Sequence, residues 1–156
     1  MDPQSQVIVE QRGNLVLGVL GGLVAAAVGA CIWAVITLTT GYQIGFMAIG
    51  VGFLVGIAVR QLGRGSSPVF GVAGAALALA GCLVGNLLTI VGYVVREQGI
   101  PFSQALHVLE PGTAINALVE TGSPIDLLFY GIAIYEGFKL STVPAAAPVA
   151  PANPGS

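Results

Sequence analysis

The chain has little charge and few of the residue types that enzymes use for catalysis. Charged side chains make up 8% of its 156 residues, whereas a soluble domain carries about a quarter. The five basic residues are scattered and form no patch for nucleic acid. There is also no glycine-rich phosphate loop and no grouping of nucleophile, base and orienting residue. We therefore expect neither nucleic-acid binding nor enzymatic activity.

Metal and disulfide chemistry lack their usual residues as well. The single histidine, His107, has no cysteine or second histidine near it in the sequence, and a metal site needs several such ligands. The two cysteines, Cys31 and Cys82, each lie inside an apolar run, where a thiol usually packs as a small side chain. The sequence therefore predicts no metal, no other cofactor and no disulfide.

The sequence instead contains long runs of apolar residues. Hydrophobic residues make up 55% of the chain, and the mean hydropathy is +0.91. The run from Phe70 to Val95 contains no charged residue. As a helix it would be longer than the roughly 30 Å of a bilayer's hydrocarbon core. We therefore expect an all-α, polytopic membrane protein that contacts membrane lipid along most of its length.

Four transmembrane helices are predicted from the apolar runs and the breaks between them. The start of the fourth is marked by Ser123, Pro124 and Asp126, which fit the cap, first-position and third-position preferences of a helix. The four spans together form one transmembrane domain over residues 15–140. They cover about 15–38, 43–59, 69–95 and 124–140.

Three further segments are predicted outside these spans. Residues 1–14 form a polar N-terminal tail, and residues 141–156 form a Pro/Ala-rich tail that we expect to be disordered. Residues 100–122 contain two short amphipathic pieces separated by Pro111. Neither piece can cross a bilayer, so this segment should lie in the membrane interface or fold back over the bundle.

The basic residues predict the orientation of the chain. With an even number of spans, both termini share one side of the membrane with the loop between the second and third spans. That side collects four basic residues and leaves only Arg96 on the other. Because basic residues are enriched in cytoplasmic segments, both termini should be cytoplasmic. The four residues are Arg12, Arg60, Arg64 and Lys139.

Small residues recur at three- and four-residue spacings along the first three spans. Such spacing leaves a face without side chains, where another helix can approach closely. The faces exceed what one small bundle needs, which predicts self-association into a homo-oligomer. The predicted helix-packing residues are Gly18, Gly22, Gly29, Gly52, Gly56, Gly71, Gly74, Gly81 and Gly85.

Two polar residues in the spans, Asn86 and Glu136, are candidates for function. Asn86 either lines a polar path or donates a hydrogen bond to a neighbouring helix. Glu136 is either a proton-coupling acid, because an acid in a span is costly, or the partner of Lys139 or Arg60 near the cytoplasmic surface. The two residues together form the possible polar pathway of the chain.

Two strings of the sequence carry a resemblance to a known group of proteins. They are Asp126–Ser141, which reads DLLFYGIAIYEGFKLS, and Gly50–Arg60, which reads GVGFLVGIAVR. With the small-residue pattern of the first span, they resemble small, uncharacterised bacterial four-helix integral membrane proteins. The resemblance implies a bacterial inner-membrane location and carries no activity.

Two functions from different classes remain open. The first is a structural or interaction protein that packs helices within and between copies, with a membrane protein as a further possible partner. The alternative is an oligomeric small-solute or ion channel or transporter, with Asn86 and Glu136 in its pathway.

Overall fold

The computed structural model describes residues 13–43 and 45–144, and this part of the chain is all-α. Residues 1–12 and 145–156, which make up most of the predicted tails at 1–14 and 141–156 and include Arg12, lie outside it. The described helices, in chain order, are α1 (Leu15–Thr40), α2 (Phe46–Gly63), α3 (Pro68–Gln98), α4 (Phe102–Ala105), the 3₁₀ turn Leu106–Leu109, α5 (Pro111–Thr121) and α6 (Pro124–Leu140).

Three of these helices, α1, α2 and α3, are long and apolar enough to cross a membrane. Helices α5 and α6 meet at a bend of 112° and make a fourth crossing if the pair counts as one span. The chain is therefore a helical membrane protein with three, or up to four, helices that can span the bilayer.

The helix ends differ from the predicted bounds by a few residues, and local caps explain most of the ends. Asn14 caps α1 by accepting a hydrogen bond from the Leu17 N–H at 3.2 Å. Gly41 ends α1 in the left-handed conformation, with φ of 72°, and its N–H donates to the Thr37 carbonyl at 2.8 Å. The predicted capping box of Ser123 and Asp126 is present at the start of α6.

The four long helices form two hairpins that lie side by side. α1 and α3 run parallel, since Gly81 lies beside Ala26 and Gly85 beside Ala30. α2 and α6 also run parallel, since Gly52 lies beside Ala133. α2 and α3 pack across the shorter diagonal, whereas no Cα atoms of α1 and α6 approach within 8 Å. The bundle is therefore a rhombus in cross-section.

The two ends of the bundle are built differently. At the end that we call the flush end, the Asn14 N–H donates to the Gly63 carbonyl at 2.8 Å, and the Val143 N–H donates to the Gly65 carbonyl at 3.0 Å. At the opposite, staggered end, α1 and α3 extend past the starts of α2 and α6. With 31 residues α3 is about 46 Å long, whereas α2 with 18 is about 27 Å.

The segment between α3 and α6 packs on the protruding end of α3. Val91, Ala105 and Val108 form a small buried cluster there. The large apolar side chains of this segment point outward instead, since Phe102 and Val119 are 56% and 74% exposed. Sequence periodicity identified these apolar faces, but it does not tell whether protein or lipid covers them.

Candidate functional site

The nine glycines of the predicted packing faces all lie at contacts between helices of the same chain. A Cβ atom at Gly52 would lie 2.7 Å from the Ala133 carbonyl oxygen, and one at Gly18 would lie 3.1 Å from the Gly63 Cα. One bundle thus uses these close approaches within itself. The contacts are Gly18 and Gly29 with α2, Gly22 with α2 and α3, Gly52, Gly56, Gly71 and Gly74 with α6, Gly81 with α1 and α2, and Gly85 with α1.

Asn86 lies inside the bundle and is bonded to α6. Its side chain is 3% exposed, and its Nδ2 donates a hydrogen bond to the Tyr130 hydroxyl at 3.2 Å. A buried amide without a partner would be costly, so this bond helps to hold α6 against α3. Between membrane helices such a bond contributes about 0.6 kcal/mol on average.

Trp33 completes a cluster of three side chains from three helices. Its ring is 1% exposed and tilted by 56° against the Tyr130 ring, with 6.5 Å between the ring centres. Gly85 makes room for it, because a Cβ there would lie 3.2 Å from the Trp33 Cγ. We call Trp33, Asn86 and Tyr130 the Trp–Asn–Tyr cluster. It links α1 to α6 where their backbones are apart.

Two buried polar atoms in and beside this cluster lack a hydrogen-bond partner. They are the Trp33 Nε1 and the Thr37 Oγ1, which make no hydrogen bond within the described part of the chain. They lie one helical turn apart on α1, so the same face of the helix carries both. Apolar side chains of similar shape would avoid the cost of burying these groups. The indole N–H and the hydroxyl are therefore buried without a hydrogen-bond partner among the described residues.

A groove of about 530 Å³ opens next to the cluster, between α3, α5 and α6. Asn86 and Tyr130 line one part of it, and the capping-box residue Asp126 lines another. The Tyr130 hydroxyl accepts from Asn86, which leaves its own proton free to donate. The remaining lining is largely apolar: Leu79, Leu83, Leu118, Val119, Gly122, Ser123, Pro124 and Leu127.

This groove can hold an apolar or amphipathic group, but its residues do not form a catalytic set. A nucleophile, a base and an orienting group must lie within hydrogen-bond reach of one another. Here the Asp126 carboxylate accepts from the Ser123 N–H at 2.9 Å and so caps α6. The Asn86 Nδ2 donates a hydrogen bond to the Tyr130 hydroxyl. The arrangement favours binding over chemistry.

Glu136, the second predicted polar-pathway residue, lies apart from this cluster. It follows Tyr130 by six residues on α6, or about 9 Å along the axis. Its Oε2 is buried without a hydrogen-bond partner. Lys139, the expected partner, donates instead to the Tyr135 hydroxyl at 3.2 Å. The structure therefore does not bring Glu136 and Asn86 into one site.

Sequence reasoning missed Trp33 and Tyr130 as members of the cluster. Neither residue is among the predicted site residues, and Tyr130 lies only within one of the two resembling strings. The one available signal was composition, since each is an aromatic residue with a polar atom inside a span, and such residues usually need a partner when buried. Their pairing with Asn86 depends on how the helices pack.

Among residues 13–43 and 45–144, no group of three or more His, Cys, Asp or Glu side chains could hold a metal ion. Comparison with protein-family models, with curated proteins and with solved structures gives no match.

Proposed function

We propose that the chain is a four-span protein of the bacterial inner membrane that acts as a structural or interaction protein and associates with itself. The observation that carries this proposal is the closed interior of the bundle. Glycines bring its helices into direct contact, and the buried Asn86 amide is bonded to Tyr130. Other molecules can therefore act mainly on its outer faces. The proposal assigns the chain no catalytic step and no cofactor.

The fourth span is supported by the match between α6 and α2. These helices run parallel, with Gly45 beside Phe129 near one end and Gly56 beside Leu140 near the other. Since α2 is long and apolar enough to cross a membrane, a helix between the same two levels crosses as well. At 17 residues α6 is about 25 Å long, close to the thickness of the hydrocarbon core.

The depth of α2 and α6 in the bilayer also supports an interfacial position for residues 100–122. If α2 and α6 cover the hydrocarbon core, the ends of α1 and α3 protrude from it, and this segment packs on the protruding part of α3. Its outward Phe102 side chain then enters the boundary between lipid tails and headgroups.

Charge supports cytoplasmic termini. Arg60, Arg64 and Lys139 lie at the flush end, whereas Arg96 lies at the staggered end. The excess of basic residues favours the flush end as cytoplasmic, and this end also holds the starts and ends of the described chain. The bacterial inner-membrane location rests on the resemblance of the two sequence strings given above.

The surface that we propose for self-association is the α5–α6 corner, defined as Ile115, Val119, Leu127 and Leu128. These aliphatic side chains are 61%, 74%, 72% and 61% exposed. Val119 and Leu127 line the groove beside the Trp–Asn–Tyr cluster, which a side chain of a second copy can enter. The corner also uses none of the nine glycines that the bundle needs for itself.

The mass of the protein in nanodiscs tests this proposal. We expect a defined oligomer for the wild type and a monomer for the double variant Val119→Ala and Leu127→Ala. The matched control is Val16→Ala with Val35→Ala, two similarly exposed positions on α1, which should leave the mass unchanged. A monomeric wild type, or an oligomer that survives the corner substitutions, would contradict the proposal.

The unpartnered Glu136 oxygen favours a second candidate function, an oligomeric channel or transporter. An acid in a span is costly and usually marks an ion or proton pathway. Here the Glu136 Oε2 finds no hydrogen-bond partner among the described residues, although Lys139 is only three residues away. Asn86 would be the other polar residue of the pathway, and a second copy would have to complete it.

Flux through liposomes tests this second function. If it is correct, the wild type transports ions or cationic dyes faster than empty vesicles, and Glu136→Gln abolishes the difference while the protein remains folded. Gln104→Leu, in the segment outside the long helices, is the control and should leave flux unchanged. Wild-type flux equal to that of empty vesicles would rule out the channel or transporter.

A further inference from the structure

A second groove runs along the outside of the bundle between α1 and α2. It has a volume of about 590 Å³ and extends from Leu17 to Val28 on α1 and from Leu54 to Leu62 on α2. Gln61 is the only polar side chain in its lining. The stretch on α1 is about 16 Å long, which is about half of a hydrocarbon core. The groove therefore matches the depth of one leaflet.

At the flush end this groove continues into a polar recess of about 510 Å³. The two share Leu17, Gln61 and Leu62 as lining residues. The recess adds Asn14 and Arg64. Among residues 13–43 and 45–144, no acidic side chain lines the groove or the recess. One continuous surface thus changes from apolar, within the depth of a leaflet, to polar and basic at the end of the bundle.

Arg64 has an unusual backbone conformation for its residue type. Its φ is 52°, in the left-handed region, although glycines stand on both sides of it. A residue with a side chain adopts this region at a cost that glycine avoids. The Arg64 Nε donates to the Gln61 carbonyl at 3.3 Å, and a guanidinium has four more N–H donors. The side chain therefore retains its capacity to bind an anion.

The start of α1 adds to the positive potential of the recess. Asn14 caps this helix, and its first turn contains no acidic side chain. No carboxylate within the first turn of α1 therefore neutralises the positive end of its dipole. By contrast, Asp126 lines the groove between α3, α5 and α6. Charge thus distinguishes the two grooves and favours an anion only in the recess.

We propose that the α1–α2 groove binds one anionic phospholipid. An acyl chain lies along the apolar part between Leu17 and Val28, and the phosphate lies between the Asn14 end of α1 and the Arg64 guanidinium. A guanidinium can hold two phosphate oxygens at once. The length and polarity of the surface match a lipid of a single leaflet, and its charge selects a negative headgroup. This site is independent of the self-association proposed above.

Lipid retention by the full chain tests the site. The protein is released from nanodiscs that contain equal amounts of phosphatidylglycerol and phosphatidylethanolamine, and bound lipids are counted by native mass spectrometry. We expect the wild type to retain one phosphatidylglycerol. Arg64→Asn should reduce its preference for phosphatidylglycerol about fivefold. Because asparagine tolerates the left-handed region, this variant should keep its fold.

Two further variants distinguish binding of the lipid headgroup from binding of the acyl chain. Arg60→Asn removes the same charge one helical turn earlier, at a residue that lines neither the groove nor the recess. It should leave the preference for phosphatidylglycerol unchanged. Val24→Trp fills the middle of the apolar part and should reduce retention of both lipids.

Four results would overturn the proposal. The first is an unchanged lipid preference in Arg64→Asn, and the second is an equal loss in Arg60→Asn. The third is displacement of the lipid by millimolar inorganic phosphate, which would mean a site for a free anion that does not use the apolar groove. Cross-linking of two copies through Val24→Cys would likewise replace the lipid by a protein contact and overturn it.

Discussion

The flush and staggered ends of the bundle are held together by different kinds of contact. At the flush end backbones meet directly, as where the Asn14 N–H donates to the Gly63 carbonyl and where a Cβ at Gly137 would lie 2.6 Å from the Gly74 carbonyl oxygen. Towards the staggered end the Trp–Asn–Tyr cluster fills the space between α1 and α6, whose backbones do not meet. Backbone contact leaves no space for a side chain, whereas side-chain contact can change without moving a helix.

This difference indicates where the molecule can vary. Substitutions at the backbone contacts should affect only stability, because they force helices apart. Substitutions in the cluster should affect both stability and the shape of the adjoining groove. We therefore expect functional differences to arise at the staggered end. Substitutions at three places, at Trp33, at Gly137 and in the Asn86–Tyr130 pair, test the contrast.

The largest effect is expected when Trp33 is removed. Trp33→Ala deletes a side chain that is 1% exposed and should lower the free energy of unfolding by about 3–5 kcal/mol. Val35→Ala, at a position 60% exposed on the same helix, should change it by less than about 0.5 kcal/mol. Reversible unfolding in mixed micelles measures both.

Trp33→Phe refines this test. It keeps an aromatic ring against Tyr130 but is smaller than the indole, and it removes an N–H group that has no partner among the described residues. Its cost should therefore be well below that of Trp33→Ala. Equal losses for the two variants would mean that a phenyl ring cannot take over the contacts of the indole at the staggered end.

A smaller effect is expected at the flush end from Gly137→Ala. The added Cβ would lie 2.6 Å from the Gly74 carbonyl oxygen and 2.8 Å from the Ala78 Cβ, so α3 and α6 must separate. We expect a loss of about 1–3 kcal/mol in the free energy of unfolding.

The same helix offers a matched control for this substitution. A Cβ at Gly131 has nothing within 4 Å, and alanine is the better helix former, so Gly131→Ala should add about 0.5–1 kcal/mol. If both variants lose stability equally, close backbone approach is not what holds the flush end.

The sequence predicted the elements well and their mutual contacts poorly. The first apolar run predicted a span at 15–38, and α1 covers Leu15–Thr40. The capping residues at Ser123 predicted the start of α6. These signals are local, because a run of apolar residues or a cap depends on neighbours in sequence. Which helix faces which depends on packing over the whole chain.

The candidate site shows the same limit. Asn86 was recognised because a polar residue in an apolar run is conspicuous, but its partner Tyr130 lies 44 residues away. The small-residue spacing predicted close helix contacts both within one copy and between copies. In the structure the nine glycines lie at contacts within one copy, and contact between copies stays a prediction. The α1–α2 groove had no sequence signal, because its lining resembles any lipid-facing surface.

The smallest effect is expected from the hydrogen bond of the Trp–Asn–Tyr cluster. Asn86→Leu and Tyr130→Phe each remove one partner of this bond, and a double-mutant cycle isolates their coupling. We expect a coupling energy of about 0.6 kcal/mol, and not above about 1.7 kcal/mol, because hydrogen bonds between membrane helices fall in this range. A coupling near zero would mean that Asn86 is held by the surrounding packing, and the contact of α3 with α6 would then depend on glycine approach at both ends.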